Sequence, residues 1–362
     1  MSKNVLYGGE LSYFTGKARA YLNWKGVDYE ERLATRDVYK NIIVARIGYP
    51  MIPVLVTPED EIIQDTTEII DHFEARDPES SVFPAGPRQR LAAHLLELYG
   101  DEWLVIPAMH YRWAHNRDFA YGEFGKLAAP DADEATQVEA GKKAATRFEG
   151  AVALLGATAE MADAVEASYL ALLDEMNAHF SEHDYLFGSR PSVGDFGLIG
   201  PLYAHLYRDP ASGEIMKERA PAVARWVERM QEPAAPKSGA FLDDDEIPAT
   251  LLPILKRMSA EQGPCLIDLV VRVAAFKSEN PDADIPRAVG MHPFTVEGKT
   301  GQRLVFPYTQ WMLQRATDHL ARLKDHDRSA CEALLRDTGF DALIDIQINA
   351  PVRRENHKLV WA

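Results

Sequence analysis

The chain has 362 residues, 46% hydrophobic and 26% charged, with a formal net charge of -16. That length predicts two or three folded units, the apolar content excludes wholesale disorder, and acidic charge spread without a long block repels polyanions, so nucleic acid is not an expected partner. Cys265 and Cys331 stand far apart with no CxxC companion, no window approaches about 18 uninterrupted apolar residues, and Met1–Glu10 lacks a basic stretch followed by an apolar core; this predicts no disulfide framework, no metal site, no membrane span and a reducing cytoplasmic setting.

In chain order, Asn4–Tyr7 reads as a short buried strand turning at Gly8-Gly9, followed by a loop at Ser12-Tyr13-Phe14-Thr15-Gly16. Lys17–Lys25 has helical composition, with Ala18, Tyr21, Leu22 and Trp24 on its apolar side and Gly26 at the stopping position. Tyr29–Leu33 reads as a second strand. Ile52–Val56 and Glu61–Ile63, joined by Thr57–Asp60, predict a hairpin, and Asp65-Thr66-Thr67-Glu68 opens a helix with an acid or hydroxyl cap. A linker rich in Pro, Ser and Gly runs from Asp77 to Pro87.

Helical periodicity then predicts segments near 88–121, 133–156, 161–182, 192–208 and 221–230. Ser192–Asp195 is an acidic capping box, a folding signal without chemistry. Glu232–Pro248 reads as a second linker with an acidic cluster, Asp243–Glu246. Beyond it, Thr250–Met258, Cys265–Lys277 and Gln310–Leu323 read as helices, and Phe294–Val296 with Arg303–Phe306 as hairpin arms flanking residues 297–302. His319, Asp325, His326 and Asp327 lack metal spacing.

Three pieces in this order carry a chemistry. A hydroxyl after the first strand, at Ser12, stabilises a thiolate by hydrogen bonding. A proline held cis before a strand, at Ile52-Pro53, leaves backbone free to pair with an extended peptide. A helix start with Asp65 and Thr66 supplies donors and a counter-charge for a charged amino-acid end.

The stretch Ser12–Leu22 with Lys25–Glu30 resembles the active-site loop and first helix of serine-type cytosolic glutathione transferases, Ile52-Pro53-Val54-Leu55 resembles their cis-proline segment, and Gln64-Asp65-Thr66 their acid-hydroxyl pair; Ser192–Asp195 followed by Phe196–Leu202 matches the helical domain. The resemblance covers about residues 1 to 232. It implies a thioredoxin-like α/β domain at 1–78 that binds glutathione, an all-α substrate domain at 88–232, and a further, mainly helical C-terminal extension at 248–362 whose role it does not supply. It implies that Ser12 activates the thiol of glutathione, the co-substrate, for attack on a hydrophobic electrophilic small molecule, and that Ile52, Pro53, Asp65 and Thr66 hold the tripeptide. It also implies a homodimer acting in detoxification.

Relatives often carry proline after the catalytic residue; here Tyr13 stands there and competes with Ser12 as the donor. No cysteine lies in Ser12–Thr15, which sets aside dithiol redox chemistry. The electrophile pocket implied by the resemblance draws on Trp103, Met109, His110, Tyr111, Arg112 and Trp113, with Met109, Tyr111 and Trp113 the leading candidates, although such a run on a long helix also reads as core or interface. Arg46 reads as a partner for the glycine carboxylate or as a solvated side chain. A glutathione-dependent lyase, isomerase or ether-cleaving enzyme would use the same site, and a non-catalytic scaffold on this fold is the competing class.

Overall fold

The computed structural model describes residues 3–362; Met1 and Ser2, at the head of the expected first domain, lie outside the described residues. In chain order the elements are β1 (Asn4–Gly8), α1 (Tyr13–Lys25), β2 (Tyr29–Leu33), α2 (Arg36–Val38), a π-helical turn (Tyr39–Ile43), α3 (Val44–Ile47), β3 (Val54–Val56), β4 (Ile62–Gln64), α4 (Thr66–Glu74), α5 (Pro87–Glu102), α6 (Val105–His115), α7 (Arg117–Ala128), α8 (Glu134–Ala151), α9 (Ala162–Glu182), α10 (Val193–Ala204), α11 (Pro210–Arg219) and α12 (Pro221–Gln231). They continue through α13 (Leu252–Glu261), α14 (Gly263–Glu279), β5 (Met291–Val296), β6 (Lys299–Leu304), α15 (Pro307–Arg322), α16 (Asp325–Thr338), β7 (Val352–Glu355) and β8 (Lys358–Trp361), with short 3-10 turns between. The chain forms two compact units, one of residues up to Ser81 with Ala108–Val152 and Ile199–Ser238, the other of Val82–Pro107, Ala153–Leu198 and Gly239–Ala362.

The first unit is organised by a mixed sheet in the order β2-β1-β3-β4, with β1 parallel to β2 and antiparallel to β3, and β3 antiparallel to β4. This is the thioredoxin-like arrangement. Because side chains alternate along a strand, Leu6, Leu55 and Ile63 stand in one buried cross-strand row. Tyr7 and Val54 occupy the opposite face and pack with Ala34, Ile43 and Ile47 from the segment between β2 and β3. Helix α1 starts at Tyr13, four residues before the expected start, because the Ser12 side chain caps it by accepting from the Thr15 amide at 3.2 Å. It ends at Gly26, whose φ of 65° is the left-handed cap that glycine adopts freely.

A buried ion pair ties the ends of α1 and α4 together. Lys25 Nζ lies 2.9 Å from Glu74, and it also donates to the carbonyls of Asp77 (2.7 Å) and Ser80 (3.0 Å), while Tyr21 donates to Glu74 at 2.8 Å. The Asp77–Pro87 linker is therefore fastened at its start. Helix α12 packs on α1, with Asn23 donating to the Gln231 carbonyl and Gln231 to that of Gly16.

The expected helix over 88–121 is broken into three. Asn116 ends α6: its side-chain amide donates to the Tyr111 carbonyl at 3.0 Å and its oxygen accepts from the Ala211 amide at 2.8 Å, bonds that compete with the helical ladder. Pro107 lies in the first turn of α6, where its missing N–H costs nothing. Helix α11 is absent from the sequence reading although Asp209-Pro210 is a proper start, with proline at the first position.

In the second unit, α5 packs against α13, α15 and α16 of the C-terminal extension and closely against Gly194 and Gly197 of α10. The acidic Asp243–Glu246 stretch is a cap. Both carboxylate oxygens of Asp245 accept from the first free amides of α5, Arg88 (2.7 Å) and Gln89 (2.9 Å), and Gln89 returns bonds to the carbonyls of Leu242 and Glu246. Glu261 is buried on α13 and accepts from Trp103, Ser168 and Arg257. The β5–β6 hairpin turns on two residues, Glu297 and Gly298, with φ of 48° and 72°, so Lys299–Gln302 belongs to an arm and not to the expected six-residue loop. The β7–β8 hairpin, turning at Asn356 and His357 with φ of 49° and 66°, repeats that geometry.

Glu74→Ala leaves the Lys25 ammonium buried without its carboxylate and is expected to cost about 3–5 kcal/mol in urea unfolding, most of it recovered by Lys25→Met with Glu74→Leu. Asp245→Ala is expected to cost about 1–2 kcal/mol as a lost cap. Burial pushes the imidazoles of His94 and His179 down to about 4. The unfolded chain, with histidines near ~6.5, therefore binds more protons than the folded chain between those values; stability should be complete above that range and fall as pH descends through it, measured as melting temperature against pH.

Candidate functional site

The sheet brings three loops to one end. Tyr7 pairs with Val54 and Val54 with Gln64, and both partners of β3 run antiparallel to it, so the exits of β1 and β4 flank the entry to β3. From that end emerge the turn Gly9–Ser12, the Met51–Pro53 approach and the Asp65-Thr66 start of α4. The Ile52–Pro53 peptide is cis. Ile52 lies half-buried just outside the ladder, beside buried Pro53.

Ser12 is half-buried, and its hydroxyl oxygen accepts from Thr15. Among the described residues it makes no other side-chain hydrogen bond, so the hydroxyl hydrogen is left to donate. Gly8 permits the first turn of α1 to close on the strand end, since a Cβ there would stand 2.4 Å from Thr15 Cγ2. Tyr13 points the other way chemically: it is buried, its ring 4.8 Å from Phe14 and 5.6 Å from His205, and a Cβ at Gly200 would meet it at 3.0 Å.

Asp65 caps α4 by accepting from the Thr67 amide at 2.9 Å, with Thr66 buried behind it. Its backbone has φ 95° and ψ 133°, a conformation that costs a non-glycine residue about 1–3 kcal/mol and clusters at functional positions. Under this helix start lies Lys17, fully buried on α1, donating to Thr67 Oγ1 at 3.2 Å.

The turn ahead of Ser12 is held from several sides. Ser12 N–H donates to the Gly9 carbonyl at 3.0 Å, Arg208 Nη1 to the Glu10 carbonyl at 3.0 Å, and Arg112 Nη1 to the Leu11 carbonyl at 3.1 Å. The Glu10 carboxylate accepts from Tyr203 at 2.7 Å and pairs with Arg19 at 2.9 Å. Arg112 is buried and forked on Asp209, with Nε and Nη2 each 2.7 Å from a carboxylate oxygen, and Nη2 also reaches the Ala204 carbonyl at 2.6 Å.

The pocket candidates on α6 lie inside. Met109, Tyr111 and Trp113 are 7%, 2% and 3% exposed; Tyr111 packs with His110 and His115, and Trp113 with Tyr121 and Phe124. Trp103, in the other unit, donates to Glu261 and lies 5.0 Å beneath the Arg303 guanidinium. Arg46 pairs with Asp60 at 2.8 Å. The sequence reading missed Lys17, Glu10, Arg208 and Asp209. Apart from Arg19, nine residues from Glu10, their partners lie about fifty or more residues away, and the local sign was an arginine at position 112 on a mainly apolar helix.

Residues 6–81 match the family model of the glutathione S-transferase N-terminal domain, and residues 144–229 that of the C-terminal domain. No curated protein matches the chain. Similar solved structures include a beta-etherase from Sphingobium sp. strain SYK-6 (19% identity, 65% of this chain and 97% of that one, TM-score 0.47) and a glutathione transferase from Phanerochaete chrysosporium (16%, 67% and 100%, 0.46). A glutathione S-transferase from Rhodospirillum rubrum F11 is similar too (18%, 68% and 96%, 0.44). Among the described residues no helix is long and apolar enough to cross a membrane. With the N-terminal model falling on the thioredoxin-like sheet and the C-terminal model on helices that follow it, the chain carries the N- and C-terminal domains of the glutathione S-transferase superfamily at residues 6–81 and 144–229.

Proposed function

We propose that the chain binds glutathione at the common exit of β1, β3 and β4 and activates its thiol for transfer to a hydrophobic electrophile. The peptide backbone would lie along Met51-Ile52 ahead of Pro53, and its γ-glutamyl end would meet the α4 N-terminus, where Asp65 supplies a counter-charge for the amino group and the helix dipole favours the carboxylate. Residues 1–78 would then be the glutathione-binding domain, 88–232 the substrate domain and 248–362 the extension. Met109, Tyr111 and Trp113 would bound the electrophile from behind as a buried apolar wall. A cytoplasmic homodimer fits the family, and the buried free thiols of Cys265 and Cys331 suit a reducing compartment.

The observation that carries this reading is the state of the Ser12 hydroxyl. Its oxygen is engaged by Thr15, its hydrogen is available, and it sits at the start of α1, where the helix dipole favours negative charge. Donation from that hydroxyl stabilises the thiolate, so the thiol proton departs to solvent at a lower pH. The sulfur pair then forms a carbon–sulfur bond as the leaving group departs with its bonding electrons. Tyr13, packed among rings, is the weaker candidate donor.

Ser12→Ala is expected to lower turnover on an activated aryl chloride by about 10- to 100-fold, the equivalent of one to two pKa units of thiol activation, while the glutathione affinity from isothermal titration is unchanged; Tyr13→Phe should leave turnover near its starting level. Turnover lost in Tyr13→Phe and retained in Ser12→Ala would transfer the role to Tyr13, and absence of any glutathione binding would leave a non-catalytic scaffold.

A further inference from the structure

Resting on the reading of Ser12 as the thiolate's donor, we infer that Arg112, locked by Asp209, is a positioning residue that aims the Ser12 hydroxyl. The Leu11 carbonyl and the Ser12 N–H belong to one peptide plane. Its oxygen accepts from Arg112 Nη1 at 3.1 Å and its N–H donates to the Gly9 carbonyl at 3.0 Å, so the plane is pinned at both edges. That plane fixes where the Ser12 Cα–Cβ bond starts, and the Thr15 amide fixes where the Oγ lies. Two restraints set the side chain, and Arg112 supplies one of them.

The guanidinium is suited to this because its own position leaves no latitude. It spends four hydrogen bonds on three acceptors, Asp209 through a two-point fork, Ala204 and Leu11, with its side chain 3% exposed and that of Asp209 fully buried. Planar geometry distributes those donors at fixed angles, which an ammonium cannot imitate. Asp209 is the N-cap residue of α11 and Ala204 ends α10, so the Ser12 turn is registered against two helices. The neighbouring Glu10 carbonyl is held by Arg208, but the Glu10 carboxylate is half exposed and its ion pairs are weak restraints. The buried fork is the rigid point.

The test is the ionisation of bound glutathione, followed as thiolate ultraviolet absorbance against pH, in the intact chain and in Ser12→Ala, Arg112→Lys and the double variant Arg112→Met/Asp209→Leu. The double variant replaces the buried pair with apolar side chains of similar size, so it folds without a donor to Leu11. Arg112→Lys and the double variant should raise the thiol pKa by at least about half a unit, a threefold loss of thiolate at neutral pH. The kcat–pH profile should move by the same amount, with KM for glutathione unchanged and kcat recovering at alkaline pH. If melting temperature falls in these variants while the thiol pKa and the pH profile stay in place, Arg112 is only structural and the inference is overturned. Ser12→Ala separates the two ideas: a thiol pKa unchanged in that variant removes Ser12 as the donor, whereas one raised there but not in the Arg112 variants removes the positioning role alone.

Discussion

Strand β3 has antiparallel partners on both sides, and that pairing governs everything the first unit does. Val54 faces Tyr7 on one side and Gln64 on the other, so the chain must leave β1 and β4 where it enters β3. A slip of one residue would turn Leu55 away from Leu6 and Ile63 and send it to the face occupied by Tyr7 and Val54. Register is therefore enforced by burial, and the meeting of Ser12, Ile52 and Asp65 is a by-product of packing the sheet.

Much of this was legible. Strand β2 and the cap at Gly26 sit where periodicity and glycine placement put them, and the cis peptide before Pro53 fits the family resemblance. The start of α1 was read late because Gly16 and a polar run resemble a loop, whereas Ser12 capping Thr15 overrides that local weakness. The β7–β8 hairpin went unread although Asn356 stands at a left-handed position, since its arms carry Arg353, Arg354, Glu355 and Lys358 in place of a clean alternation. Roles of Ser12, Tyr13 and the α6 side chains depend on a substrate that periodicity does not describe.

Buried charge was the systematic blind spot. Lys17 and Lys25 read only as helix formers and Arg112 as one of several pocket candidates, yet each is withdrawn from solvent and answered by an acceptor 49 to 97 residues away, as in Lys25 with Glu74 and Arg112 with Asp209. Helical propensity gives lysine and arginine no reason to avoid a buried face, and the penalty for burying them is visible only with the partner in place. Of the three, Arg112 holds the hydroxyl turn, through the Leu11 carbonyl.

The capping of α5 by Asp245 changes how the last third of the chain is to be regarded. The free amides at the head of that helix find their acceptor more than 150 residues downstream, and its flanks lie against α13, α15 and α16. Without Asp245, α13, α15 and α16, α5 would lose the acceptors that cap it and a large part of its apolar covering. In this protein the extension is internal support for α5, so an alteration to one is felt by the other.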